Sequence, residues 1–254
     1  MQRIGIVGVG EIGRAIAEGL CAPGGEPVRV LLSPRGANAA KALADRFEQA
    51  EVCADNQAVV DGADTVVLAV RVPDRREALA GLRFRDSQTV VSVMAGVSLA
   101  ELRRELGTGA DLVRAIPLPA VRERASITVT HPAHPVADAL FDRLGGVQPT
   151  ADEAEFGVYS ALTGTLSTHY AYLAALTGWA AAQGVPAADA ERYVRGLFRN
   201  LGRSLADPDR SLDRLAADHE TPGGSNERIR TAWFDAANSA ALTAALTDLL
   251  DRLR

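Results

Sequence analysis

Three glycines near the start of the chain have the spacing of a diphosphate-binding turn. Gly8, Gly10 and Gly13 follow the apolar run Ile4–Val7 and precede a helical pattern, as a Gly-x-Gly-x-x-Gly motif requires. The first glycine permits a tight turn, the second admits a diphosphate close to the backbone, and the third lets the helix pack on the strand. The N–H groups of the first helical turn then face the phosphates. We therefore predict a dinucleotide site at Gly8, Gly10, Glu11, Ile12 and Gly13.

The end of the second predicted strand indicates which dinucleotide is bound. A carboxylate at this position would bind the ribose hydroxyls of NAD, but the chain reads Leu32-Ser33-Pro34-Arg35 and has no acid there. Arg35 can pair with the additional ribose phosphate of NADP, and Ser33 can donate a hydrogen bond to it. The sequence therefore favours NADP over NAD, although a solvated loop position would also explain Arg35.

A sheet that positions these residues is predicted from the first half of the chain. Strand and helix patterns alternate there, and the strands are continuous apolar runs, as in a parallel sheet covered on both faces. We predict an α/β fold with a doubly wound Rossmann sheet. Its predicted strands are Ile4–Val7, Val28–Leu32, Glu51–Ala54, Thr65–Val70, Thr89–Val93, Leu112–Ile116 and Ser126–Thr130. Further predicted helices are Ala37–Phe47, Arg75–Leu82, Leu99–Leu106 and Val136–Leu144.

The pattern changes near residue 150, where Thr150 and Glu153 are spaced as a capping box. Only helical patterns follow, so we predict a dinucleotide-binding domain over 1–149 and an all-α substrate and dimerisation domain over 150–254. Much of this second region is apolar all round, and one small bundle cannot bury every such face. We expect a homodimer formed through these helices and leave a higher oligomer open. The predicted helices here include Ala187–Leu205, Leu212–Ala217 and one from about Glu227 to Leu253.

Composition excludes several classes of function. The net charge of −5 and the lack of a basic stripe argue against a nucleic-acid partner. Cys21 and Cys53 have no metal-ligand spacing, so we predict no metal site and two reduced thiols in a cytoplasmic protein. No charged residue occurs between Phe156 and Ala188, but threonines, a histidine and glycines interrupt this segment. We therefore interpret it as buried helix rather than a membrane span.

Several ordered motifs resemble the pyrroline-5-carboxylate reductase family, over essentially the whole chain. The motifs are Val7–Gly13, Leu68–Arg71 followed by Pro73, Ser92–Val97, Val113–Pro117 and Thr221–Ser225. The glycine motif alone is shared by many reductases, whereas the ordered set is more specific. The resemblance implies a reductase that passes a hydride from NAD(P)H to a cyclic imine. It also implies a dimer whose C-terminal helices build each active site from both subunits. Cofactor residues implied by the resemblance are Asn56, Ala69, Val70, Arg71, Ala95 and Gly96.

The late loop departs from the family pattern. The resemblance implies substrate contacts at Gly223, Gly224, Ser225, Asn226 and Glu227, where the family has two threonines that help hold a carboxylate. Here Asn226 keeps a donor, but Glu227 adds negative charge where a carboxylate should bind. Either Glu227 opens the last helix and points to solvent, or the substrate is a different imine that lacks a carboxylate or carries an amine.

Two other segments also depart from the family. After Pro117, Leu118 replaces an asparagine. On the first long helix, Leu166 and Ser167 replace the glycine and proline of a serine–glycine–serine–glycine–proline stretch. The hydroxyls survive as Thr163 and Thr165, which are the candidates for orienting the imine nitrogen or a carboxylate. Residues two apart diverge on a helix, so one of the two is expected to be structural. His169 lies on the same helical stripe as Thr165 and is a candidate proton donor, with a core role as the alternative.

Two other functions stay open at this point. A hydroxy-acid dehydrogenase of the 6-phosphogluconate type would need a lysine on the first interdomain helix, but Lys41 is the only lysine in the chain. A non-catalytic protein that binds NADP would explain the loss of the family's asparagine, glycine and proline. Turnover of cyclic imines distinguishes these alternatives from a reductase.

Overall fold

The chain forms eight strands and twelve α-helices within residues 1–253, the part that the computed structural model describes. These residues divide into two units, Met1–Ser160 and Ala161–Leu253. The functional domains inferred from the sequence, 1–149 and 150–254, remain predictions.

The first unit is built on one eight-stranded sheet with the order β3-β2-β1-β4-β5-β6-β7-β8. From β1 the strand order runs outward to β3 on one side, and from β4 it runs outward to β8 on the other. This is the doubly wound sheet that was predicted, and the crevice in which such sheets bind ligands lies between β1 and β4. The strands are β1 (Gln2–Val7), β2 (Val28–Leu32), β3 (Ala50–Val52), β4 (Thr65–Leu68), β5 (Thr89–Ser92), β6 (Asp111–Ile116), β7 (Thr128–His131) and β8 (Val147–Pro149).

The last two strands, β7 and β8, run opposite to the other six and depart from the predicted parallel arrangement. All pairs from β3 to β6 are parallel, whereas β7 runs antiparallel to β6, with Ala115 opposite Thr130. The connection between these two strands holds only a short 3-10 helix, Pro119–Glu123, and no crossover helix. Without a crossover the chain returns in the opposite direction.

Helices cover both faces of the sheet and bury two apolar clusters. Ile4, Ile16 and Phe141 lie in one cluster, and Val7, Val66 and Leu102 lie in the other. The two clusters leave the central strands buried on both sides, which explains their continuous apolar sequence. The helices of this unit are α1 (Glu11–Cys21), α2 (Ala37–Arg46), α3 (Asn56–Gly62), α4 (Arg75–Leu79), α5 (Leu99–Leu106), α6 (Pro135–Asp142) and α7 (Glu153–Thr163), whose last turn reaches the second unit.

Arg124 fixes the end of the glycine-motif helix. Its backbone adopts a left-handed conformation with a φ of 54°. Its guanidinium donates hydrogen bonds to the carbonyl oxygens of Gly19, Ala22 and Pro23. These bonds satisfy acceptors left unpaired where α1 ends.

The second unit is wholly helical, and its helices are α8 (Thr165–Ala182), α9 (Ala187–Ser204), α10 (Leu212–Asp218), α11 (Ser225–Trp233) and α12 (Ala236–Leu253). The prediction of a single last helix from Glu227 to Leu253 is wrong, because α11 ends at Trp233 and a separate helix begins at Ala236. Among the described residues, no helix combines the length and the apolar character needed to cross a membrane.

The predicted capping box at Thr150 is also wrong. The hydroxyl of Thr150 donates to the carbonyl of Thr130 instead. Asp152 accepts the N–H of Glu155, and the Glu155 carboxylate accepts the N–H of Ala151. Reciprocal capping is therefore present, but two residues later than the spacing indicated.

Candidate functional site

The glycine turn joins β1 to α1 in a geometry that other residues could not adopt. Gly8 has a φ of +101°, and a Cβ built on it would lie 2.6 Å from the carbonyl oxygen of Ala69. A Cβ on Gly13 would lie 2.1 Å from the carbonyl oxygen of Gly8. Both contacts are far below van der Waals distance, so the turn requires glycine at these two positions.

Gly10 differs from its two neighbours in the motif. A Cβ built on it meets no atom within 4 Å, so the space above this backbone is open. Gly10 is also the N-cap residue of α1, and no side chain of the described residues caps that end. Unpaired N–H groups at the start of a helix, beside open space, are suited to bind a diphosphate.

The hydroxyl of Ser33 is committed to this turn. Ser33 is fully buried, and its Oγ accepts a hydrogen bond from the backbone N–H of Gly8 over 2.9 Å. As an acceptor this hydroxyl stabilises the turn, and its predicted donation to a ribose phosphate stays a prediction.

Arg35 and Asn56 lie near one open groove of the first unit. The groove has a volume of about 770 Å³, and its lining includes Pro34, Asn56 and Glu77. The Arg35 guanidinium is half exposed and lies 3.4 Å from the Glu77 carboxylate, which belongs to α4. Asn56 begins α3 and donates its side-chain amide to the carbonyl of Ala78 over 2.9 Å. The structure therefore places all three side chains at the carboxyl ends of neighbouring strands or on the helices that follow.

The remaining predicted cofactor residues follow β4 and β5 at the same edge of the sheet. Ala69 and Val70 are half-buried, and the Ala69 N–H donates to Val7 over 2.8 Å. Arg71 is exposed and pairs with Asp74 over 2.7 Å. The exposed turn after β5 contains Ala95 and Gly96, and Gly96 has a φ of +71°. Because β2, β1, β4 and β5 are parallel neighbours, their carboxyl ends bring these residues and the glycine turn together.

A glutamate occupies the first position of α1, next to the open space above Gly10. Glu11 is exposed, and its carboxylate lies 3.0 Å from the guanidinium of Arg122. The same guanidinium pairs with Glu18, a buried glutamate of α1 that also lies 3.1 Å from Arg14. Arg122 therefore partly neutralises the charge that Glu11 adds beside the predicted phosphate site.

The hydroxyl candidates of the second unit lie at a helix junction. Thr163 ends α7, Gly164 follows it, and Thr165 begins α8. The Thr165 hydroxyl donates to the carbonyl of Leu162 over 2.8 Å, so its proton is used within the helix junction. Its oxygen lone pairs stay available as acceptors.

His169 lies one turn beyond Thr165, in an aromatic group of the second unit. Its ring is exposed and meets the ring of Phe198 edge to face, with 6.1 Å between the centroids. Tyr172 contacts the same phenylalanine and stacks on Trp233 with 5.1 Å between centroids. His169 is exposed within this one chain, and the choice between a proton donor and a core histidine stays open.

The late loop, Thr221–Gly224, is closed by the helix that follows it. The Glu227 carboxylate accepts the backbone N–H of Gly223 over 2.5 Å, and Gly223 has a φ of +71°. The Asn226 amide donates to the carbonyl of His219 over 2.7 Å. Gly224 caps α11, and Ser225 is its first residue. The structure thus places Glu227 in the first turn of α11, where its carboxylate closes the loop, and both interpretations of this residue stay open.

Two further predictions concern metal and cysteine chemistry. Among residues 1–253, no three histidine, cysteine or acidic side chains are arranged to hold a metal ion. Cys21 and Cys53 are both free thiols. Burial raises the pKa of the Cys21 thiol to about 11, so this group is a poor nucleophile near neutral pH.

Comparison with known proteins finds relatives that align with both units of the chain. Residues 3–96 match a family model described as NADP oxidoreductase, coenzyme F420-dependent. The pyrroline-5-carboxylate reductase of Corynebacterium melassecola is 26% identical over 264 aligned residues, which cover 95% of this chain and 97% of that protein. The Mycobacterium tuberculosis enzyme is 31% identical over 180 aligned residues, covering 65% of this chain and 60% of its own length. A solved pyrroline-5-carboxylate reductase from Coxiella burnetii has a TM-score of 0.84 at 22% identity, over 98% of this chain and 96% of that one.

The chain is therefore similar to pyrroline-5-carboxylate reductases over nearly its whole length, and it shares their fold. Glu77 and Arg122 are two charged residues near the candidate site that the sequence did not reveal. Glu77 contacts Arg35 and Arg122 contacts Glu11, in each case from an element distant in sequence. No local motif marks either residue, and only the strand order shows that they lie near the glycine turn.

Proposed function

We propose that the protein reduces a cyclic imine by hydride transfer from NADPH. The observation that supports this most directly is the glycine turn, where the open space above Gly10 adjoins an uncapped helix start. The similarity to pyrroline-5-carboxylate reductases supports the class of reaction. When bound, the dinucleotide supplies the hydride, and the residues of the chain position it and the imine.

We propose NADP rather than NAD as the physiological cofactor. Arg35 is half exposed at the end of β2, and the β2 end itself carries no acid. A guanidinium suits a ribose phosphate because its paired N–H donors match the phosphate oxygens. The matched family model, whose description names NADP, supports the same choice.

The second unit supplies the candidates for handling the imine. An imine nitrogen can take its proton from solution, so a hydroxyl that accepts the resulting N–H is sufficient to orient it. Thr165 fits this role, because its own proton is already donated to Leu162. We propose that Thr163 lies beside it and that the exposed His169 ring serves as a proton donor or carrier.

A different imine is the second candidate substrate, and Glu227 favours it. Its carboxylate already accepts the N–H of Gly223, in the loop where the family resemblance implies carboxylate binding. A substrate carboxylate would have to displace this bond and approach a like charge. An imine without a carboxylate, or one that carries an amine, avoids both costs.

A homodimer is proposed from the apolar surface of the second unit. α8 has no buried residue, and Tyr170, Trp179 and Leu166 are exposed on it. A mostly apolar helix with no buried side chain is unfavourable in water and is typical of an interface. We propose that a second copy of this chain covers α8, and light scattering at several concentrations tests the stoichiometry. The cytoplasmic location stays a prediction.

The decisive experiment follows the oxidation of NADPH with a panel of cyclic imines, with and without a ring carboxylate. Turnover of any of these imines supports the reductase. Faster turnover of the uncarboxylated imines supports the second candidate substrate. Tight binding of NADPH without turnover of any imine would instead support the non-catalytic alternative.

A further inference from the structure

An ion pair joins the two sides of the groove that contains Asn56. Arg35 follows β2, whereas Glu77 lies on the helix that follows β4, and these strands flank β1 on opposite sides. The Arg35 Nη1 and the Glu77 Oε1 are 3.4 Å apart. Both side chains are largely exposed, with 52% and 79% of their area open to solvent, so each can exchange its partner for a ligand.

Other acids of this groove are already engaged. The Asp55 carboxylate accepts the N–H of Ala58 over 2.7 Å, as the cap of α3. Asp61 accepts from the side chain of Gln57 over 2.8 Å. Of the acids that line the described groove, Glu77 is the one that the structure pairs with Arg35.

Glu77 has opposite effects on the two nicotinamide dinucleotides. A ribose 2′-phosphate that binds Arg35 must first take its guanidinium away from the carboxylate of Glu77. A ribose with free hydroxyls has no such phosphate, and a carboxylate is the group that accepts hydrogen bonds from these hydroxyls in NAD sites. The fold therefore places the carboxylate of Glu77 beside Arg35, although the end of β2 itself has no acidic residue.

We propose that Glu77 is a specificity-determining residue, which competes with the ribose 2′-phosphate for Arg35 and thereby reduces the preference for NADPH over NADH. This inference rests on the dinucleotide part of the proposed function and does not depend on the imine. Its consequence is a protein able to use both dinucleotides, with the ratio set by one ion pair.

The test measures equilibrium dissociation constants for NADPH and NADH by cofactor fluorescence, with no imine present. The proteins compared are the wild type, Glu77→Gln, Arg35→Gln and the double variant. Glu51→Gln is the matched control, because Glu51 also forms a half-exposed pair with an arginine, Arg29. We expect Glu77→Gln to strengthen NADPH binding about two- to five-fold, the range of an exposed ion pair, without strengthening NADH binding. In the Arg35→Gln background the same change should leave NADPH binding nearly unaltered.

Four results would overturn the inference. Equal weakening of both dinucleotides by Glu77→Gln would show a purely structural role, and unchanged NADPH binding would show no competition. A gain for NADPH that persists without Arg35 would show that the ion pair is irrelevant. If the wild type binds neither dinucleotide, both this inference and the proposed cofactor fail. A shifted ratio with no turnover of any imine refutes only the proposed reaction.

Discussion

Ser33 accepts the backbone N–H of Gly8 over 2.9 Å, which joins the end of β2 to the glycine turn after β1. Ser33→Ala should lower the free energy of unfolding by about 1–3 kcal/mol, because it leaves a buried N–H without a partner. It should also weaken NADPH and NADH binding to the same extent, since the turn serves both. Denaturant unfolding and fluorescence titration measure the two effects. Ser87→Ala, at an exposed position, is the control and should change neither.

Gly10 and Gly13 should respond differently to the same substitution. Gly13→Ala places a Cβ 2.1 Å from a backbone oxygen and should cost about 1–3 kcal/mol of stability or more. In Gly10→Ala the new Cβ has no protein atom within 4 Å, so the free energy of unfolding of this variant should stay within about 0.5 kcal/mol of the wild type. Its methyl group nevertheless enters the proposed phosphate space, so dinucleotide binding should fall at least about ten-fold. Normal binding by Gly10→Ala would place the diphosphate elsewhere.

The sheet was predictable because its strands are buried on both faces. Continuous apolar runs such as Val28–Leu32 and Thr65–Leu68 lie in the structure close to where the sequence places them. β8 was missed, because Val147–Pro149 is only three residues long and ends in proline. α3 was missed as well, since a seven-residue helix with the sequence Asn-Gln-Ala-Val-Val-Asp-Gly has little helical periodicity.

The sequence predicted the parts of the site that are formed by residues close together in the chain. Gly8, Gly10 and Gly13 reveal the turn because their spacing reports backbone geometry. The contact between Ser33 and Gly8 could not be predicted, since nothing in Leu32-Ser33-Pro34 shows that the hydroxyl points inward to Gly8. Glu77 is separated from Arg35 by two strands and two helices of the chain, so their pairing is a property of the fold.

Glu11 should affect stability and binding in opposite directions. Its charge at the start of α1 favours the helix, so Glu11→Gln should cost about 0.3–1 kcal/mol in the free energy of unfolding. The same change removes negative charge beside the proposed phosphate site and should strengthen binding of both dinucleotides a few-fold. Arg122→Ala exposes that charge and should weaken binding. This weakening should shrink in the Glu11→Gln background, and an equal loss in both backgrounds would contradict the role given to their 3.0 Å pair.

The two cysteines should differ in reactivity towards a thiol reagent. Burial raises the pKa of Cys21 to about 11, and the residue is only 4% exposed. Burial is also the main cause of a raised pKa at Cys53, but this thiol is partly exposed. Because the thiolate is the reacting form, the native protein should be labelled slowly at Cys53 and hardly at all at Cys21. Mass spectrometry should show both labelled in denaturant, and rapid native labelling of Cys21 would contradict its burial at the end of α1.

Glu227→Gln distinguishes a helix-start role from control of the substrate. The amide oxygen of glutamine can still accept the Gly223 N–H, so the loop should keep its conformation while the charge is lost. If the charge excludes carboxylates, the variant should gain kcat/KM on carboxylated imines and not on uncarboxylated ones, by about ten-fold for about 1.4 kcal/mol of relieved repulsion. Glu191→Gln, another exposed glutamate of the second unit, should leave the ratio of rates unchanged. An unchanged ratio in Glu227→Gln, with stability reduced, would assign Glu227 to the start of α11 alone, and the substrate would then be free to carry the carboxylate that the family resemblance implies.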